Sequence, residues 1–200
     1  MILIFLFQVN LDIAKQTILH YSLKKQTITN RFMKDKNTAE GGKLYTTLGG
    51  EGFFEITIDK SVFYGYAKRV TEEKDAVDTL ERILSEEYAL PVKREGNNLW
   101  CIAQGYDEKR KTLLLNAHVD TVKPTSQWTR DPYKATIEGE RIYGLGSNDD
   151  GASLVSLIQV FSFFWNKPLP YNLILAISAE EEVSGKNGME RVLKVLPKID

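Results

Sequence analysis

Three features of this sequence predict an α/β fold in three layers, α/β/α, with helices on both sides of a mainly parallel sheet. Thr112-Leu113-Leu114-Leu115 and Leu173-Ile174-Leu175-Ala176-Ile177 are continuous apolar runs of strand length, and apolar stripes at helical spacing alternate with them. A continuous apolar run marks a strand covered on both faces. Strands that alternate with helices favour a parallel sheet between helical layers.

Residues 1–66 stay unassigned as a segment. The start, Met1 to Phe7, is apolar but has no basic residue before it and no small-residue cleavage pattern after it. It is also too short to cross a bilayer, so it is expected to be a buried strand, with a secretion signal or a mis-assigned start as alternatives. Phe53-Phe54-Glu55-Ile56-Thr57-Ile58 suggests another strand, and glycine pairs at Gly41-Gly42 and Gly49-Gly50 suggest turns. His20 stands alone in a region without other chemistry, and a lone histidine is usually a surface or packing residue.

From residue 67 the pattern sharpens. Thr71 can cap a helix whose first turn is acidic, Glu72-Glu73, and whose apolar stripe is Ala76, Val77, Leu80, Ile83 and Leu84; Pro91 ends it. Strands are expected at 98–103 and 112–117, a hairpin at 135–143 turning at Glu138-Gly139, and a helix over 152–165. After the second covered strand comes a helix over 187–196.

Composition narrows the function classes. The chain has 200 residues, 42% of them hydrophobic, enough for a domain with a core. Lys and Arg number 26 against 27 Asp and Glu, so no basic face invites nucleic acid and no acidic tail suggests a solvating segment. No membrane partner is expected. The single cysteine, Cys101, cannot form an internal disulfide, which fits a cytoplasmic setting. Beside Trp100 in a strand, it is expected to be a core residue.

Three clusters fall at strand-helix junctions: His118-Val119-Asp120, Asp149-Asp150 and Glu180-Glu181-Glu182. In open α/β sheets the ligand crevice lies beyond the carboxyl ends of the strands, so these clusters are expected to converge there. Imidazole and carboxylate together suit zinc. Asp120, two residues past His118, is placed to hold the imidazole through its second nitrogen. Asp149, at the start of a helix, gains from the macrodipole in its charged form. Each cluster alone has a plainer explanation: a solvated acidic face, a turn, a core histidine. Their shared position at strand ends is what favours a site. Other motifs fail on spacing. Gly144-Leu145-Gly146 begins like a dinucleotide fingerprint, but Asp149 occupies the third glycine's place. Ser147 lacks a nucleophile elbow, and Asp149 lacks calcium-loop spacing.

Over residues 70–200 the sequence resembles the M20 family of metallopeptidases and deacylases, with the acetylornithine deacetylase branch the nearest look. The matching stretches are Leu115-Asn116-Ala117-His118-Val119-Asp120-Thr121-Val122, Asp131-Pro132, Tyr143-Gly144-Leu145-Gly146-Ser147-Asn148-Asp149 and Ser178-Ala179-Glu180-Glu181-Glu182-Val183. The resemblance implies a zinc-exopeptidase-like catalytic domain, of which residues 67–200 are the N-terminal part without the lid domain. It implies two zinc ions, with cobalt or manganese as substitutes. His118 would bind one zinc, Asp149 bridge both, and Glu182 bind the other. Glu181 would be the general base and Asp120 a catalytic partner. Glu181 would take a proton from the attacking water and pass it to the departing amine while zinc polarises the amide carbonyl. A cis peptide between Asp149 and Asp150 is also implied.

The implied reaction removes an acyl group from an N-acyl amino acid, with a dipeptide as the alternative substrate and a homodimer as the expected full-length assembly. Two departures stand out: Asp150, where the family usually has a neutral residue, and Lys123 before Pro124. The family also draws on a further acidic ligand, a late histidine and the lid, all beyond Asp200. A truncated, non-catalytic metal-binding or interaction fragment is therefore the second expectation.

Overall fold

The computed structural model describes residues 2–10, 34–38, 44–48, 52–58, 61–69, 72–133, 136–138 and 141–200. His20, Thr71 and the hairpin tip at Gly139 lie outside the described residues, as does the burial of the N-terminal strand.

The first part of the chain is antiparallel. Strands β1 (Ile2–Asn10), β4 (Gly52–Ile58) and β5 (Ser61–Arg69) form one sheet in the order β1-β5-β4, and β2 (Lys34–Thr38) pairs with β3 (Leu44–Leu48). The apolar start and the 53–58 run are thus strands, as their composition suggests.

Helix α1 (Glu73–Arg82) begins at Glu72, whose N–H donates to Asp75 Oδ2 at 3.4 Å. Its stripe, Ala76, Val77 and Leu80, is buried, and Ile83 and Leu84 continue it into a wider π turn, Ile83–Glu87. The chain then reverses through Ala89, at φ 51°, and leaves at Pro91.

Four strands make the main sheet: β6 (Lys93–Glu95), β7 (Asn98–Ile102), β8 (Thr112–His118) and β11 (Asn172–Ser178), in the order β6-β7-β11-β8. Only β11 and β8 run parallel; β6-β7 and β7-β11 are antiparallel. Among the described residues the sheet is therefore mixed, not mainly parallel. The cause is local: β6 and β7 form a tight hairpin through Gly96-Asn97, with Gly96 at φ 62°, so β7 enters against the direction a crossover helix would impose.

Strand β8 departs from expectation too. Every residue of β11 is buried, but Leu113 of β8 is 48% exposed, because β8 has no strand on its outer side among the described residues. A small hairpin, β9 (Thr136–Glu138) and β10 (Arg141–Tyr143), precedes α2 (Gly151–Phe164).

Side chains alternate across the sheet with the strand period of two. Leu99, Cys101, Ala117, Leu173, Leu175 and Ile177 pack on one face against α1 and against Leu154, Ile158 and Phe161 of α2. Trp100 and Ala176 face the other way, onto Val192 of α3 (Met189–Val192). The three layers hold, although the last helix is one turn rather than the expected 187–196. Beyond Val192 three-residue hydrogen bonds, Lys194 N–H to Arg191 O and Val195 N–H to Val192 O, mix with the four-residue bond Leu196 N–H to Val192 O, so no regular helix continues ahead of Pro197.

Candidate metal centre

The parallel pair β8 and β11 sets the site, because their registered C-terminal ends, His118 opposite Ser178, deliver the chain to one rim of the sheet. There Val119 N–H donates to Ser178 O at 2.9 Å, extending the ladder one residue past β8. In such a pair alternate N–H groups point inward, so the His118 N–H points away from β11. It finds Asp150 Oδ2 at 3.1 Å. Asp150 is the N-cap of α2, and its own main-chain oxygen accepts Leu154 N–H at 2.8 Å. One residue thus ties the helix start to the strand end. The Asp149-Asp150 peptide is cis.

His118 is 9% exposed. Its Nδ1 lies 3.0 Å from the main-chain oxygen of Asp120 and 3.5 Å from that residue's carboxylate. A carbonyl oxygen only accepts, so in the neutral ring Nδ1 carries the proton and Nε2 presents a lone pair. Nε2 faces Asp149 Oδ1 at 3.3 Å and Glu181 Oε2 at 3.7 Å. Burial works against a charged ring, but the Asp120 carbonyl and the carboxylates of Asp120, Asp150 and Glu181 outweigh it, holding His118 above the usual histidine range.

The sequence-predicted residues come together. Ligand atoms of His118, Asp149 and Glu182 all lie within 4.8 Å of one another. The Asp120 carboxylate accepts the N–H groups of Glu181 at 3.2 Å and Glu182 at 3.1 Å, so its grip on the imidazole is through the main chain while its side chain holds the acidic loop. Asp149 and Glu181 are exposed.

The residues fit a cation on one internal observation: Glu182 Oε1 is buried and has no hydrogen-bond partner. A buried acceptor left unmatched costs about 1–3 kcal/mol, more when charged. A cation beside the His118 lone pair would match it. Nitrogen and carboxylate donors suit zinc, and also cobalt or manganese.

Sequence reasoning missed two contributors. The sequence places Asp150 in the Asp149-Asp150 cluster and marks it as a departure from the family pattern but gives it no contact, and Asn98, at the start of β7, carried no signal at all. Asn98 is fully buried, and its Oδ1 accepts Ala179 N–H at 2.9 Å, 81 residues away.

One imidazole and two carboxylates gathered past the parallel strand ends of a mixed α/β sheet form a candidate metal site. Residues 114–200 match the family model of peptidase family M20/M25/M40. The chain is similar to succinyl-diaminopimelate desuccinylase of Blochmanniella floridana, 37% identical over 105 residues, covering 50% of this chain and 27% of that one. An uncharacterised metallohydrolase of Methanococcus maripaludis is 32% identical over 148 residues, 72% of this chain and 34% of its own length. Acetylornithine deacetylase of Buchnera aphidicola is 29% identical over 116 residues, 54% and 29% respectively. This chain thus spans about a third or less of the length of these curated relatives. Among solved structures, human carnosine dipeptidase 1 aligns with a TM-score of 0.46 at 19% identity, over 61% of this chain and 29% of that one. An M20 family metallo-carboxypeptidase of Sulfolobus solfataricus gives 0.46 at 25% identity, over 55% and 26%. Among the described residues no helix is long and apolar enough to cross a membrane.

Proposed function

We propose that this chain carries the front part of a metal-dependent amidohydrolase that removes an acyl group from an N-acyl amino acid. The observation that carries the reading is the convergence of His118, Asp149 and Glu182 on one point. The named relatives, a desuccinylase and a deacetylase, support the substrate class. Residues 67–200 would form the catalytic part, with zinc as the metal, the cytoplasm as the setting and a homodimer as the full-length assembly.

In this reading His118, through Nε2, together with Asp149 and Glu182 would hold the metal. Bound zinc would polarise the amide carbonyl and acidify the attacking water. Glu181 is exposed at the rim, so its carboxylate can receive the water's proton and hand it to the leaving amine. Asp120 keeps Nε2 unprotonated by holding the proton on Nδ1.

The test is metal analysis of the chain beside His118→Ala, Glu182→Ala and Glu181→Gln, with a hydrolysis screen on N-acetyl amino acids, N-succinyl amino acids and dipeptides. The first two substitutions should lower bound zinc. Glu181→Gln should keep zinc and lose turnover by on the order of 10²- to 10⁴-fold. Equal zinc in all four proteins refutes the assignment.

A further inference from the structure

The family resemblance gives no role to Glu180, the first acid of its run. Its carboxylate is engaged with Asn187: Oε2 accepts the Asn187 N–H at 3.1 Å and Oε1 accepts the Asn187 side-chain amide at 3.0 Å. Its main-chain oxygen accepts Gly185 N–H at 2.8 Å. Every one of these bonds closes the same loop, the one that presents Glu181 and Glu182.

The loop needs such a clasp because its backbone takes uncommon conformations. Glu180 sits at φ 57° and Ser184 at φ 49°, the left-handed region that residues with a Cβ seldom adopt. Two glycines make room: an added Cβ at Gly185 would overlap the Glu180 carboxylate, and one at Gly188 would overlap the Ala179 carbonyl oxygen. Asn98 anchors the loop from the sheet. Its Oδ1 takes Ala179 N–H at 2.9 Å, while its amide donates to Asn187 O at 2.7 Å and Glu95 O at 2.8 Å. Both ends of the loop are therefore pinned to β7, and the Asp120 carboxylate holds its middle.

We propose that Glu180 is a positioning residue of the metal centre: by clasping Asn187 it closes the 179–187 loop and fixes Glu181 and Glu182 opposite His118 and Asp149. This rests on the function proposed above. Carboxylate ligands held by an outer partner typically lose about 10- to 100-fold in metal affinity when that partner is removed.

The experiment is cobalt(II) binding to the 200-residue chain, followed by calorimetry and by visible absorption, together with the thermal midpoint of each metal-free protein. Glu180→Ala should weaken cobalt by about 10-fold or more and alter the absorption band. Glu180→Gln should restore the affinity, because its oxygen can accept Asn187 N–H and its amide can donate to the Asn187 side chain once that amide turns over. Gly185→Ala, which displaces the carboxylate without deleting it, should reproduce the loss and serves if Glu180→Ala does not fold. His118→Ala is the control for the site itself.

Wild-type affinity in Glu180→Ala or Gly185→Ala, with only the thermal midpoint lowered, overturns the proposal. So does a Glu180→Gln protein as weak as Glu180→Ala, since charge rather than the clasp would then matter. If the wild-type chain fails to bind cobalt, or His118→Ala binds it equally well, the metal reading falls and this inference with it.

Discussion

His118 and Asp120 are joined through the main chain: the imidazole Nδ1 stands 3.0 Å from the Asp120 carbonyl oxygen, leaving the Asp120 carboxylate free to accept the N–H groups of Glu181 and Glu182. One residue thereby fixes the ring tautomer with its backbone and the acidic loop with its side chain. The two jobs are separable by mutation.

Asp120→Asn should weaken zinc without changing the tautomer. The asparagine keeps one acceptor but turns its amide toward an N–H that then lacks a partner, so the Glu181-Glu182 segment loosens. Affinity should fall by roughly 10- to 100-fold, the usual effect of losing an outer partner to a metal ligand. A competition titration with a zinc chelator reads the first effect, and nitrogen-15 NMR of the His118 ring reads the second. Unchanged affinity would mean that the carboxylate does not position the loop.

Phe161→Ala should destabilise the domain and spare the site. Phe161 is fully buried between α2 and the sheet. Truncating a buried phenylalanine costs about 3–5 kcal/mol through lost transfer energy and the cavity left behind. Urea denaturation should show a markedly lower midpoint, while zinc affinity at low denaturant stays at the wild-type value.

The legible parts of this chain were those written in periodic apolar residues. Strand β11 and helices α1 and α2 declared themselves by apolar spacing, and the candidate site acids by their place just past strand ends or at a helix start. The parallel-sheet expectation failed because two apolar runs say nothing about the short polar strand β6, Lys93-Arg94-Glu95, whose hairpin with β7 brings antiparallel pairing. The Gly96-Asn97 dipeptide was the available signal for that turn. Asn98 had no signal, since a hydrogen bond spanning 81 or 89 residues leaves no period in the sequence, and the Glu180 clasp, seven residues to Asn187, depends on a loop conformation that apolar spacing does not encode. Leu113 misled for a related reason: composition can mark a strand as apolar without telling whether a neighbour flanks it.

Cys101 should resist thiol reagents until the sheet opens. It is 1% exposed, pairs with Leu175 of β11, and burial pushes its thiol up to about 12. The thiolate is the reacting form, and an unfolded cysteine ionises near 8.5. Native protein should therefore label far more slowly than denatured protein. Because the folded value is raised, the contribution to stability is complete below that unfolded value and is lost as pH climbs toward the folded one. Prompt labelling in native buffer would contradict the core assignment.

Metal uptake should rise with pH through the elevated His118 transition. Burial alone would favour the neutral ring, yet the Asp120 carbonyl and the carboxylates of Asp120, Asp150 and Glu181 prevail, so the folded pKa exceeds the ordinary 6.5. A raised histidine stabilises the metal-free fold fully below the unfolded value, and that contribution disappears as pH passes the folded value. Metal requires the neutral ring, so affinity should climb over the same interval and level off above it. Asp150→Asn isolates the electrostatic part, because the amide oxygen can still accept His118 N–H while the charge is gone. Its His118 titration, followed by NMR of the ring protons and assigned in a chain with only two histidines by His20→Gln, should shift to lower pH. The affinity profile should move with it. An unmoved midpoint in Asp150→Asn would show that the neighbouring charge does not reach the ring.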